Sequence, residues 1–144
     1  MDVKVVCVIG ILGYNAWKDW KLKEISLWSL LFINLMGMGL CMGNTLRENQ
    51  WGELALGYVP GIALIGLSIL TKGKIGMGDG LILLSLGNFM RIKEVFLVLG
   101  MGLLLCSFWS GILLVARKAG KNSRIPFVPF LFAGYLGGLW LWKL

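Results

Sequence analysis

Residues 95–115 read VFLVLGMGLLLCSFWSGILLV, 21 consecutive positions without a charged side chain. The hydrocarbon core of a bilayer takes about 20 apolar residues of α-helix, each adding about 1.5 Å of rise. Lys93 and Glu94 precede the run and Arg117 and Lys118 follow it, so it has the length of one crossing and is charged at both ends. The rest of the chain agrees. Of its 144 residues 58% are hydrophobic and only 15% are charged, with 21 glycines and a mean hydropathy of +0.81. A soluble domain carries about 25% charged residues, and no small core can bury so much apolar surface. Disorder is excluded by the low charge, and a disulfide scaffold by three isolated cysteines.

Working outward from 95–115, five more apolar segments follow at 3–17, 25–42, 54–70, 75–90 and 127–142. The first, fourth and sixth are short for a crossing, and Gly76, Gly78 and Gly80 crowd the start of the fourth. The expected fold is all-α: a polytopic membrane protein of about six transmembrane helices, forming one domain over 1–144. The first segment lacks an A-x-A-like cleavage site, and Asn15, Trp17 and Lys18 follow its apolar stretch directly, so it reads as a helix and not a cleavable leader.

Orientation follows from the basic residues. Lys18, Lys21, Lys23, Lys72, Lys74, Arg117, Lys118, Lys121 and Arg124 lie after segments one, three and five. Lys4, Arg47, Arg91, Lys93 and Lys143 lie elsewhere. Basic loops stay in the cytosol, which places the odd-numbered gaps there and both termini outside. The same clusters account for the net charge of +7, with no nucleic-acid partner. Two G-x-x-x-G patterns, at 39–43 and 57–61, predict close helix packing, and Pro60 predicts a kink in the third segment. Met36, Met38 and Met42 read as packing residues.

The chain has no histidine, and Cys7, Cys41 and Cys106 form no C-x-x-C pair. Imidazole metal sites, Ser-His-Asp triads, Cys-His dyads and zinc ribbons all lack an essential member. The acids carry what chemistry remains. Asp2, Glu48, Glu53 and Glu94 fall at the outer edges as solvated charges, whereas Asp19, Glu24 and Asp79 fall on the cytosolic side. Asp19 ends segment one and Asp79 opens segment four. Two crossings separate them, so they return to the same membrane face. Asn15 and Asp19 are four apart and share one helix face, a polar stripe turned inward. Each aspartate also has a plain structural reading: Asp19 paired with Lys18 or Lys23, Asp79 as a helix N-cap. Together they offer aspartic-protease chemistry, in which two close carboxyls hold one proton between them and activate one water.

Three motifs carry a resemblance. Residues 76–79, GMGD, match the G-x-G-D signature of polytopic aspartic proteases. Asp19 followed by five residues and Ile25 is similar to the first-aspartate motif of the prepilin peptidases, D-x5-I-P. Residues 124–130, RIPFVPF, resemble the I-P-F-G-P-F stretch before that family's last span. The motifs occur in the family's order and cover most of the chain. Ser26, Val128 and Gly80-Leu81 depart from the usual proline, glycine and Val-Lys.

The resemblance implies an endopeptidase of the bacterial inner (cytoplasmic) membrane, with its active site facing the cytosol. Such enzymes remove the basic leader from type IV pilin-like precursors. Asp19 and Asp79 are then the catalytic pair, sharing the acid and base roles without an assignment between them. Gly76 and Gly78 admit an extended substrate backbone beside Asp79, and Glu24 is a contact for a basic leader residue or a solvated loop acid. No cofactor or metal is implied. The partners are a prepilin or pseudopilin precursor and membrane lipid. Larger members carry a segment with two C-x-x-C pairs linked to N-methylation. Its absence here implies the short, peptidase-only form, such as the members that serve Flp/Tad-type pili or related pseudopilin systems.

Two competing classes remain. One is a small proton- or ion-coupled carrier using the same aspartates. The other is a catalytically silent assembly subunit of a pilus or secretion system. A dinucleotide loop at 76–80 is dismissed, because an apolar span precedes it where that motif needs a strand.

Overall fold

A computed structural model describes residues 3–22, 27–48, 51–73, 76–117 and 125–143. These residues form six α-helices and no strand: α1 (Val3–Leu22), α2 (Leu27–Glu48), α3 (Trp51–Leu70), α4 (Met77–Gly87), α5 (Ile92–Val115) and α6 (Val128–Lys143). Each expected apolar segment has become one helix. Two of them, α3 and α5, are long and apolar enough to cross a membrane. Both leave most of their surface uncovered by protein, with Leu70 and Val115 more than four-fifths exposed. The core helix of a soluble protein would hide such side chains. By contrast, α4 has 11 residues and rises only about 16 Å at 1.5 Å per residue.

The chain divides into two compact units. The first comprises Met1–Ile11 and Ser26–Phe96. Here α4 packs mainly on α3 and also on α2. Close approach is possible because the facing positions lack side chains. A Cβ on Gly61 would lie 2.7 Å from the Leu84 nitrogen, and one on Gly87 2.5 Å from the Gly57 carbonyl oxygen. The 57–61 pattern is therefore a packing seam. At Gly39 and Gly43 no described atom lies within 4 Å of such a Cβ, so the twin pattern at 39–43 does not serve this seam. Pro60 is buried inside α3, which runs on through it to Leu70.

Polar side chains reinforce the same packing. Asn34 of α2 donates to the Leu30 carbonyl (2.9 Å) and to Ser85 Oγ on α4 (2.8 Å), and Ser85 donates back to the Leu81 carbonyl (3.0 Å). Tyr58 of α3 and Cys41 of α2 both donate to Asn88, which closes the C-terminus of α4. Buried polar groups in an apolar setting are tolerated when partnered in this way. At the start of α5, Arg91 N–H donates to Glu94 Oε2 (3.2 Å), the returning half of a capping box.

The second unit comprises Leu12–Ile25 and Leu97–Leu144. Here α5 and α6 also meet through glycine. A Cβ on Gly134 would lie 3.0 Å from the Val98 carbonyl oxygen and the Gly102 nitrogen, and one on Gly102 3.1 Å from Leu131 Cα. Leu12, Val98, Val128, Leu131 and Tyr135 are buried in this unit. On α1, the positions Leu12, Asn15, Ala16 and Asp19 are buried while Tyr14, Trp17, Trp20 and Lys21 are exposed. This i, i+3, i+4, i+7 spacing is the inward stripe expected of Asn15 and Asp19.

Candidate functional site: two carboxylates

Asp19 lies near the C-terminal end of α1, in the second unit, and is only 6% exposed. Its Oδ2 accepts a hydrogen bond from the backbone N–H of Val128 (3.1 Å), the first residue of α6. The local sequence explains why α6 looks outside itself for this bond. A helix start leaves several N–H groups without intrahelical partners, and a Ser, Thr, Asp or Asn usually caps them. Phe127 precedes α6 and has no side-chain acceptor. Its carbonyl accepts from the N–H groups of Phe130 and Leu131, both at 3.1 Å. Pro129 has no N–H, and proline fits the first turn for that reason. The Val128 N–H is the remaining donor of this turn, and Asp19 takes it.

The lysines beside Asp19 on α1 are directed elsewhere. Lys18 Nζ lies 6.0 Å from the centroid of the Tyr14 ring and Lys21 Nζ 5.1 Å from that of Trp17. The expectation of an Asp19–Lys18 pair thus gives way to a backbone partner, and Lys23 lies outside the described residues.

Asp79 lies in the first unit, half-buried, as the third residue of α4. It is not the N-cap. That position belongs to Gly76, whose carbonyl accepts the Asp79 N–H (3.2 Å). An acid in the first turn complements the positive end of the helix dipole. Gly76 has φ −62° and ψ 121°, a conformation open to any residue. Its lack of a side chain matters for another reason: a Cβ there would lie 3.0 Å from Asp79 Oδ2. The glycine leaves room for the carboxylate itself. Gly78 is half-buried in the first turn of α4, and Glu24 lies outside the described residues.

Sequence reasoning did not single out Asn34, Tyr58, Ser85 or Asn88. Their signal was present: polar side chains set inside otherwise apolar helices. Nor did it foresee that Val128 touches Asp19, since a backbone donor carries no residue signature. Among the described residues no cluster of potential metal ligands occurs. No protein-family model, curated protein or solved structure matches this chain.

Proposed function

We propose that this chain is an aspartic endopeptidase of the bacterial cytoplasmic membrane, of the short prepilin-peptidase type, removing the basic leader from pilin-like or Flp-type precursors. Asp19 and Asp79 together activate one water, one carboxyl ionised and the other protonated. The observation that carries the reading is the Asp19–Val128 hydrogen bond. It joins the first of the three ordered motifs to the third, although 109 residues separate them. The second motif supports it locally, with Gly76 leaving space for the Asp79 carboxylate.

The proposed topology has six membrane segments with cytosolic odd-numbered gaps. Asp19 and Asp79 share a face provided only that α2 and α3 cross. At 22 and 20 residues these helices rise about 33 and 30 Å, enough for the hydrocarbon core. The contact between the end of α1 and the start of α6 also supports placing gaps one and five on one side. Lipid is the natural cover for the exposed faces of α3 and α5.

The test is co-expression with a pilin-like precursor, following leader removal by gel shift and N-terminal sequencing. Wild type cleaves, Asp19→Asn and Asp79→Asn do not, and all three accumulate equally in the membrane. Cleavage surviving either substitution removes the two-carboxylate mechanism. Ion flux lost in both mutants, without cleavage by wild type, selects the carrier. The mature N-terminus carries no methyl group, because the chain lacks the C-x-x-C segment.

A further inference from the structure

The 124–130 stretch has no role in the chemistry proposed above, yet its backbone meets a carboxylate central to it. We infer that the first turn of α6 is a positioning device for Asp19, fixing the carboxylate's orientation through the Val128 N–H. This rests on the peptidase reading for its catalytic meaning, while the contact itself does not.

Three observations converge. The Val128 N–H donates to Asp19 Oδ2 at 3.1 Å, both residues being buried. Burial pushes the Asp19 carboxyl above the usual carboxylate range, and the backbone N–H groups at the start of α6 act against that rise. The flanking residues offer Asp19 no competing donor from that turn, because Pro129 has no N–H and the N–H groups of Phe130 and Leu131 go to the Phe127 carbonyl. A carboxylate at a helix start gains the charge-assisted hydrogen bond and the dipole together. The fit is reciprocal: α6 lacks a capping side chain of its own, and Asp19 supplies one from α1.

Among the described residues few charges compete in this setting. On α1 the neighbours are Lys18 and Lys21, turned over Tyr14 and Trp17. From α6 the only titratable side chain between residues 125 and 142 is Tyr135, and from 97–115 on α5 it is Cys106.

Two measurements on the full chain in nanodiscs test the inference. In the first, ¹⁵N-valine labelling follows the Val128 amide through a pH titration. Its proton resonance moves with ionisation of Asp19, and Asp19→Asn abolishes the response. An amide indifferent to that substitution overturns the contact. In the second, the Val128 amide is replaced by an ester, which deletes the N–H and keeps the side chain. The pH profile of precursor cleavage moves to higher pH by about one unit, the scale of one N–H donor on a carboxylate. Val128→Ala keeps the N–H and leaves the profile in place, whatever it does to the rate. An ester variant with an unmoved profile overturns the positioning role. A wild type that cleaves no precursor counts against the peptidase reading, and the Val128 titration still decides the contact.

Discussion

Asp19 stands three residues before the end of its helix and Asp79 three residues into its own, and they are held by different means. Asp19 is buried, and its hydrogen-bond donor lies 109 residues along the chain. Asp79 is half-buried, and the space for its carboxylate is left by Gly76, three residues earlier. The Asp19 hydrogen bond is a tertiary property, whereas the clearance beside the Asp79 carboxylate is set within a single helix start. A tertiary geometry fails through distant substitutions, whereas a local one fails through its neighbours or through displacement of the whole helix. The carboxyls themselves define the largest expected effect. Asp19→Asn and Asp79→Asn should each lower precursor cleavage by about 10²–10⁴-fold, the usual worth of a positioned acid or base. A substantial difference between them, measured in one assay at equal membrane abundance, would mean that the two groups do not work as a pair.

The next effect separates the two units. Gly87→Ala places a methyl carbon 2.5 Å from the Gly57 carbonyl oxygen, backbone that cannot swing aside as a flexible side chain does. Overpacking of this kind costs about 1–3 kcal/mol. The expected result is a lower melting temperature and reduced cleavage, because α4 carries Asp79. The Val128 amide should keep its hydrogen bond to Asp19, read as an amide proton that still responds to pH. Loss of that response would show that the seam between α3 and α4 reaches Asp19 as well, and the contrast between the carboxylates would lose its basis.

Gly76→Ala sharpens the local half of the comparison. The backbone at Gly76 accepts alanine, so folding should be almost unchanged. The new methyl lies 3.0 Å from Asp79 Oδ2, and the carboxylate has to shift by a few tenths of an ångström. Misplacing a reacting group by 1 Å costs up to about 10²-fold, so a loss near tenfold is expected, in kcat more than in KM. A variant with full activity would show that Asp79 works in another rotamer. One that fails to accumulate would assign Gly76 to folding instead.

The sequence was informative wherever a side chain or its absence carries the signal. Six apolar runs became six helices, because burial of apolar surface follows periodicity and length. The ends were less legible. Helix α1 runs on to Leu22, past the apolar segment that stops at 17, because Trp, Lys and Leu continue a helix readily even where hydropathy falls. Helix α4 stops at Gly87, short of the apolar segment's end at 90, where Asn88 closes it with partners from α2 and α3. Of two identical G-x-x-x-G spacings one makes the seam, since the pattern states that helices can approach and not which neighbour arrives. Glu94 read as a solvated charge and proves to cap α5. The link between Asp19 and Val128 was beyond side-chain reasoning altogether. The nearest clue was a helix start, Phe127-Val128-Pro129, with no residue able to cap it.

The smallest effect belongs to Ser85, and its size decides how local Asp79 is. Ser85 Oγ accepts from Asn34 Nδ2 at 2.8 Å and so ties α4 to α2. Ser85→Ala removes that acceptor, but Asn34 keeps its bond to the Leu30 carbonyl at 2.9 Å and has the Leu81 carbonyl at 3.4 Å beside it. The donor is not stranded, so the large penalty for an unsatisfied buried group does not arise. Side-chain hydrogen bonds between membrane helices average about 0.6 kcal/mol, and Ser85→Ala should cost about that much in an unfolding titration. Cleavage should change by less than about threefold, since 0.6 kcal/mol corresponds to a factor near 2.7. A much larger loss of cleavage with stability preserved would mean that α2 steers α4 through Ser85. Asp79 would then be set from a distance after all, in the same manner as Asp19.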